Sequence, residues 1–518
     1  MSFAELFDRA FVALPDLVRT AASAFPDRLA VVADDRSLTY AELDLLADRV
    51  AGALQRDGLR PGQTVALCAG NSAVFVAVYL GIVRAGAVAA PLPPLVARSG
   101  LLAMIGDSGA ELLMLDSVGA GALAAGEGVT LPPRIALGAV EGVRSLEDWL
   151  APDGARPTAL ALRPEDPCNI IYSSGTTGTP KGVVQSHAMR WTQLRLGRGL
   201  GDGAVMMIST PLYATGGSIS LLMALGAGGT AVVMGRFDAQ RFLQLAQRWR
   251  ATHATLAPVQ YRRIMDQPGF DHAELGAFRA TYSIAAPSSA MLKAEILRRW
   301  PGGLIDTYGM TEGGGSCVLA AHERPDKLHT VGQPAPGHEI RIIDEQGAEL
   351  PVGEVGEVVG RSAMMMSGYH NRPQATGEAE WFDAEGRRFI RTGDIGRLDD
   401  EGFLTIVDRK KDMIISGGFN IYPSDLEAVL TGHEQVEDAA VVGAPSERWG
   451  ETPVGFVELR PGAGIAPAEL LTWANARLGK VQRLSELRVV ERLPRNDLGK
   501  LLKRALTGEI DGAPEAPE

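Results

Sequence analysis

Ile170-Ile171-Tyr172-Ser173-Ser174-Gly175-Thr176-Thr177-Gly178-Thr179-Pro180-Lys181-Gly182 opens as an apolar, β-branched run and turns into hydroxyls, glycines and one lysine. The first residues predict a buried strand. The rest predicts a ligand loop. Glycines let a backbone wrap closely round a bound group and turn its N–H groups inward. Hydroxyls add donors, and the Lys181 ammonium adds a mobile positive charge. Such a loop suits a polyphosphate. It differs from the common phosphate loop, where Gly-Lys-Ser/Thr follows a glycine after a four-residue gap. The plain alternative is a flexible Gly/Thr loop with an exposed lysine, and the rest of the chain decides between the two.

At 518 residues the chain is too long for one ordinary core, so two or more domains are expected. An apolar content of 46% with 22% charged residues is that of a soluble globular enzyme. The net charge of −12 argues against nucleic acid as the main partner, while leaving room for a local basic patch. Cys68, Cys168 and Cys317 are scattered, with neither zinc spacing nor a disulfide framework, which points to a reducing cytoplasm. Glu5, Asp8 and Asp16 make the N-terminus unlike a signal peptide. Residues 204–235 carry no charge and are long enough to span a bilayer. They also hold Pro211, Gly216, Gly217 and a Gly-rich patch at 226–229. A buried strand–loop–helix–strand unit is therefore expected there, and no membrane span.

Upstream, residues 11–57 predict helix, a short hairpin round Leu29 to Leu38, then helix. Thr39 and Glu42 form a capping box for the second helix. Strands are expected at Val65–Cys68 and Val88–Pro91, with a core helix over Ala73–Val83 capped by Asn71 or Ser72. Residues 116–165 are weakly patterned and are expected at the periphery. Downstream, strands are expected at Met206–Ser209, Ala231–Met234, near Thr255 and at Leu304–Thr307. The alternation of strand and helix predicts an α/β fold with parallel-type sheets and covering helices. Ligands then sit beyond the C-terminal ends of the strands. From about Gly337, short alternating runs such as Glu339–Ile343 and Glu354–Val359 predict a small antiparallel β subdomain. The charged run Asp408 to Asp412 marks a domain boundary. Strand and helix patterns restart at Ala439–Val442, Val454–Leu459 and Ala466–Leu478, giving a small C-terminal α/β domain. The Pro- and Gly-containing acidic tail, 508–518, is expected to be disordered.

Three further stretches bear chemistry. In Tyr308-Gly309-Met310-Thr311-Glu312 an aromatic can stack on a purine, a hydroxyl can reach a phosphate, and a carboxylate can hold Mg²⁺. In Thr392-Gly393-Asp394 a carboxylate can accept from two neighbouring hydroxyls of a ligand. Leu493 to Lys500 offers a lysine on a loop, able to neutralise charge as a carboxylate attacks phosphorus.

Together these stretches resemble the adenylate-forming superfamily of acyl-CoA synthetases, aryl-CoA ligases, stand-alone adenylation domains and luciferases. Ser-Ser-Gly-Thr-Thr-Gly-x-Pro-Lys-Gly is similar to its phosphate-loop signature, and the other motifs follow in the superfamily's order. The resemblance implies that Ser173, Ser174, Gly175, Thr176, Thr177, Gly178 and Lys181 bind ATP. It assigns Ala286, Tyr308 and Gly309 to the adenine side, Thr311 to the α-phosphate and Glu312 to Mg²⁺. It further assigns Asp394 and Arg409 to the ribose side, Gly417 and Gly418 to the tunnel for the CoA thiol, Lys411 to a hinge, and Lys500 to adenylation. The implied division is an adenylation core over 1–408, a hinge at 409–412 and a mobile domain over 413–507. His187 needs no catalytic role.

Three departures bear on the acid and thiol sites. Pro211-Leu212-Tyr213 is followed by Ala214 where many relatives carry His. Phe419 stands where many carry Glu, and Lys480-Val481-Gln482 lacks the usual proline. The leading expectation is an acid–CoA ligase using ATP, Mg²⁺ and coenzyme A, as a monomer or homodimer. Neither a fused carrier domain nor the insertion typical of fatty acyl-AMP ligases is evident. The alternatives are an enzyme loading a separate carrier protein, a luciferase-like oxygenase, and a silent nucleotide-binding regulator. Trp191, Ala214, Thr215, Gly217 and Gly313 to Gly315 are the candidates to line the acid pocket. Their small, neutral character favours an apolar acyl or aryl group. Arg190 or Arg195 could instead pair with a second carboxylate, though an exposed position is the commoner one for arginine.

Overall fold

The expected buried strand is present as Pro167–Ser173, and it lies inside a large, mostly parallel sheet, with an antiparallel neighbour in Lys181–Ser186. The computed structural model describes residues 2–123, 130–173, 180–416, 419–495 and 500–510. They divide into two compact units: Met1–Glu339 with Gly360–Ile390, and Ile340–Val359 with Arg391–Glu518. This division falls earlier than the expected 409–412 boundary. Residues 391–409 are tied to 340–359, because Thr392 Oγ1 donates to the Val358 carbonyl and Arg391 pairs with Glu357.

The first unit holds two sheets. One has the strand order Gly368–Tyr369, Lys181–Ser186, Pro167–Ser173, Val88–Leu92, Thr64–Cys68, Leu112–Leu115, Arg134–Ala136, Arg144–Ser145. Its pairs are parallel from Pro167–Ser173 to Arg144–Ser145. The other sheet runs parallel from Leu29–Ala33 through Thr230–Val233, Val205–Ile208, His253–Leu256 and Ala280–Ser283 to Gly303–Tyr308. Short antiparallel strands close both of its edges. Strands such as Thr64–Cys68 are buried at every residue, as sheets covered on both faces require. Helix Ala73–Arg84 is buried all round. Ser72 caps it by accepting from Phe75 N, while Asn71 instead braces the Thr210–Leu212 turn and Met234. The Thr39–Glu42 capping box forms as expected.

The uncharged run folds as strand Val205–Ile208, helix Thr215–Gly226 and strand Thr230–Val233. Among the described residues no helix is long and apolar enough to cross a membrane. Residues 116–165 are less peripheral than expected. They add two edge strands, and Trp149 is buried against the core, with its indole donating to Asp57.

In the second unit, Ile414–Ser416, Phe419–Ile421, Val436–Ser446, Gly450–Leu459 and Glu486–Val490 form a mixed sheet. Helices Pro423–Thr431, Pro467–Asn475 and Lys503–Ile510 accompany it. The antiparallel β subdomain is present. In the second unit its Asp394 lies opposite Arg409.

Candidate active site

In the first unit the site gathers at the C-terminal ends of parallel strands. Strand Gly303–Tyr308 delivers Tyr308 and, just beyond, Gly309, Thr311 and Glu312. Its parallel neighbour Ala280–Ser283 leads into Ala285 and Ala286, so the two expected adenine-side segments leave adjacent strand ends. Ala285 takes φ +73°, a left-handed value uncommon for a residue with a side chain, and this turns the loop sharply before Ala286.

Thr311 is held from two directions. Gln185 Nε2 donates to its carbonyl at 3.0 Å, and its hydroxyl lies 2.9 Å from that of Thr215. Thr215, expected on the acid side, and Thr311, expected at the phosphate, are therefore neighbours. Glu312 is 9% exposed. Its Oε1 accepts from the Tyr369 hydroxyl at 2.9 Å. Burial, and then the Glu312 charge, push the Tyr369 phenol well above its ordinary range, so it stays a donor. Lys181 Nζ lies 5.1 Å from the centroid of the same ring. Tyr369 thus joins Lys181 to Glu312. Sequence reasoning missed it, because nothing near Ser367-Gly368-Tyr369 signals either partner.

Gly313 is buried with φ +69°, and a Cβ there would meet the Met364 carbonyl oxygen at 1.7 Å. Close packing of two backbone segments requires glycine at this position. At Gly217 a Cβ would meet the Pro211 carbonyl oxygen at 2.2 Å, so helix Thr215–Gly226 starts hard against the Pro211 turn. Ala214 occupies the N-cap position of that helix.

Two expectations are corrected. Trp191 is taken up by the core: it stacks on Phe7 at 5.4 Å, and its indole donates to the Ala10 carbonyl. An N-terminal segment about 180 positions away supplies those partners, which local pattern could not reveal. Arg195 is exposed, but Arg190 is fully buried. Ser174, Gly175, Thr176, Thr177, Gly178, Gly417 and Gly418 lie outside the described residues, and Ser173 is placed only as the end of its strand.

In the second unit Asp394 and Arg409 face each other across paired strands, and Arg409 Nε lies 2.8 Å from Asp394 Oδ1. Gly393, at φ +70°, turns the chain there and accepts from Lys410 N. Lys500 joins this pair. Burial lowers its pKa, Arg409 and Lys411 lower it further, and Asp394 and Asp412 oppose them. An Arg495–Leu501 bridge and a hydrogen bond from Leu502 N to the Pro494 carbonyl close the segment that presents Lys500. Beyond it, Lys503 pairs with Glu427 at 2.7 Å. Lys410 and Arg391 both bind Glu357, a buried carboxylate that the motif reading left out.

Among the described residues no cluster of three or more His, Cys, Asp or Glu could by itself cage a metal. Glu312 nevertheless fits a divalent ion that shares phosphate oxygens. One of its oxygens is fixed by Tyr369, and a hard cation takes carboxylate and phosphate ligands.

Fold and site together define an adenylate-forming enzyme. The chain belongs to the AMP-binding enzyme family, whose model matches residues 18–370, and the AMP-binding enzyme C-terminal domain matches residues 425–500. It is 33% identical to 4-coumarate–CoA ligase-like 9 of Oryza sativa subsp. japonica, over 96% of this chain and 93% of that protein. It is 32% identical to the fatty acid–acyl-carrier-protein ligase ScoC of Streptomyces coeruleorubidus, over 94% of each. The amide bond synthetase McbA of Marinactinospora thermotolerans superposes with a TM-score of 0.84 at 28% identity, over 96% of this chain and 100% of that one. The chain is an adenylate-forming ligase.

Proposed function

We propose that the chain is an ATP-dependent carboxylic acid–CoA ligase working in two steps. In the first, a carboxylate oxygen of the acid bonds to the α-phosphorus of ATP. The bond from that phosphorus to the bridging oxygen breaks, and pyrophosphate leaves. In the second, the CoA thiolate attacks the acyl carbonyl, and AMP leaves with the bonding pair.

The residues take the following roles in this reading. Lys181 and its loop hold the outer phosphates, and Tyr308, beside Ala286 and Gly309, stacks on the adenine. Thr311 donates to an α-phosphate oxygen. Asp394, oriented by Arg409, accepts from the ribose hydroxyls. Lys500 neutralises the charge that builds as the carboxylate attacks. Glu312 would hold Mg²⁺, which when bound draws negative charge from the phosphates. Gly417 and Gly418 border the thiol path. The domain over 413–507 turns about Lys411 between the steps, because Lys500 and the glycine pair serve different half-reactions.

The observation that supports adenylation most is the position of Lys500 among Asp394, Arg409, Lys411 and Asp412. It brings the expected catalytic lysine to the expected ribose carboxylate across more than a hundred positions of sequence. The acceptor is the finer question. The CoA-ligase relative favours free CoA, and the similarly identical carrier-protein ligase favours a second reading, in which the acyl group passes to a separate carrier. Pyrophosphate release over a panel of aliphatic and aryl acids, with mass spectrometry of the products with and without CoA, tests the proposal. An acyl-CoA product is expected. Acyl-adenylate that accumulates despite free CoA, but turns over with a carrier protein, would replace the first reading with the second.

A further inference from the structure

Among the described residues the first unit buries three long cationic side chains: Arg84 at 5% exposure, Arg190 at 0% and Lys293 at 1%. Two of them follow the rule for buried charges. Arg84 pairs with Asp44 at 2.6 Å and Asp48 at 2.7 Å, and Lys293 pairs with Asp306 at 2.5 Å. Arg190 has no carboxylate partner among the described residues. Its Nε donates to Asn169 Oδ1 at 2.7 Å and its Nη1 to Gln193 Oε1 at 2.6 Å and to Ser218 Oγ at 3.4 Å, while among the described residues its Nη2 meets no hydrogen-bond acceptor. The Tyr79 phenol and the Cys168 thiol stand close by. Arg190 is thus a buried cation whose hydrogen bonds go to neutral groups, unlike the other two.

Two chains of hydrogen bonds lead from Arg190, and both end on Thr311. In one, Asn169 Nδ2 donates to Gln185 Oε1 at 3.0 Å, and Gln185 Nε2 donates to the Thr311 carbonyl at 3.0 Å. In the other, Ser218 Oγ donates to the Thr215 carbonyl at 3.0 Å, and the Thr215 hydroxyl meets that of Thr311 at 2.9 Å. Arginine can only donate. At the head of both chains it therefore fixes the direction of the first chain and of the Ser218 hydroxyl, while the Thr215 hydroxyl, beyond a backbone carbonyl, is reached only through the placement of Thr215. Asn169 must turn its oxygen to Arg190 and its nitrogen to Gln185. Gln185 must then present its nitrogen to Thr311. Ser218 accepts from Arg190 and spends its own proton on Thr215. With Thr215 donating to the Thr311 oxygen, the Thr311 proton is left to point at a ligand.

We propose that Arg190 is a positioning residue for adenylation, holding Thr311 and its neighbour Thr215 in place through this hydrogen-bonded circuit. The proposal rests on the reading that Thr311 meets the α-phosphate. The test uses the full chain, with Mg-ATP alone as the binding probe and, for turnover, whichever acid of the panel gives most pyrophosphate. Arg190→Met should weaken Mg-ATP binding and lower the kcat of adenylation roughly ten- to a hundredfold. Conversion of supplied acyl-adenylate and CoA to thioester should stay within about twofold of wild type. The decisive measurement repeats Arg190→Met in a Thr311→Val background. There it should add less than about a twofold loss, because its route to the chemistry has already been removed. If Arg190→Met does not fold, Gln185→Met interrupts one chain alone and should show the same dependence on Thr311. Losses that multiply in the Thr311→Val background, or equal losses in both half-reactions, would overturn the circuit. Normal adenylation by Thr311→Val alone would instead overturn the phosphate assignment beneath it.

Discussion

Tyr369→Phe removes one oxygen and leaves the ring in place beneath Lys181. That oxygen donates to Glu312 Oε1 at 2.9 Å. Glu312 is only 9% exposed, so water has little room to replace the lost donor. A hydrogen bond to a charged group contributes about 1.5–3 kcal/mol. Each ~1.4 kcal/mol of transition-state stabilisation is tenfold in rate. If the bond serves to fix the carboxylate during reaction, adenylation should fall roughly ten- to a hundredfold. The phenol remains protonated across any usable pH, since burial and the neighbouring carboxylate both hold its pKa up, so the effect should not depend on pH through Tyr369. Tyr369→Leu loses the ring contact to Lys181 as well, and should be worse. ATP–pyrophosphate exchange measured against Mg²⁺ concentration is the assay, with urea unfolding alongside to separate stability from rate. A higher Mg²⁺ requirement and a lower kcat are expected. In a Glu312→Gln background the Phe substitution should add little. Wild-type exchange at limiting and saturating Mg²⁺, or losses that simply multiply with Glu312→Gln, would refute the joint between Tyr369 and Glu312.

Further outcomes follow from the second unit and from the glycines. Lys500→Ala should abolish adenylation yet still turn supplied acyl-adenylate and CoA into thioester. Lys411→Pro should do the reverse, because proline fixes φ near about −65° and stops the proposed turn. Equal damage to both half-reactions in each variant would reject the alternation. In the proposed mechanism the Lys500 ammonium must be charged, and its pKa is lowered first by burial and then by Arg409 and Lys411. Activity should therefore fall as pH rises through that lowered value, and Lys411→Gln, which removes one of the opposing cations, should move this alkaline limb upward. An unmoved or downward-shifted limb would contradict the placement. Gly313→Ala should destabilise the first unit by about 2 kcal/mol or more, read by urea unfolding, because its Cβ meets the Met364 backbone and its φ disfavours a side chain. A stability within ~0.5 kcal/mol of wild type would show that the backbone can move aside.

Features set by near neighbours along the chain were legible without the structure. The Thr39–Glu42 capping box depends on residues three apart, and it forms with contacts of 2.8 and 3.2 Å. The uncharged run over 204–235 was readable as strand, helix and strand because burial on both faces demands unbroken apolar residues. Tyr308 to Glu312, Thr392 to Asp394 and Lys500 stood out because their chemistry is unusual for a turn and their order matches the superfamily. What the sequence by itself determined was thus the kind of layers, the position of the Tyr308–Glu312 motif at the end of a strand, and the family.

Tertiary structure decided which of these groups meet. Gln185 and Thr311 are 126 positions apart, and Tyr369 and Glu312 are 57 apart, distances at which a hydrogen bond leaves no period or spacing to read. Trp191 and Arg190 sit one residue apart on one helix, yet one fills the core against Phe7 and the other heads a polar circuit. Arg195, on the same helix, stays in solvent. The helix itself treats the two arginines alike. Their different burial comes from the strands, helix Thr215–Gly226 and the N-terminal segment packed around them, because burial belongs to the whole neighbourhood of a side chain and only in part to its own sequence.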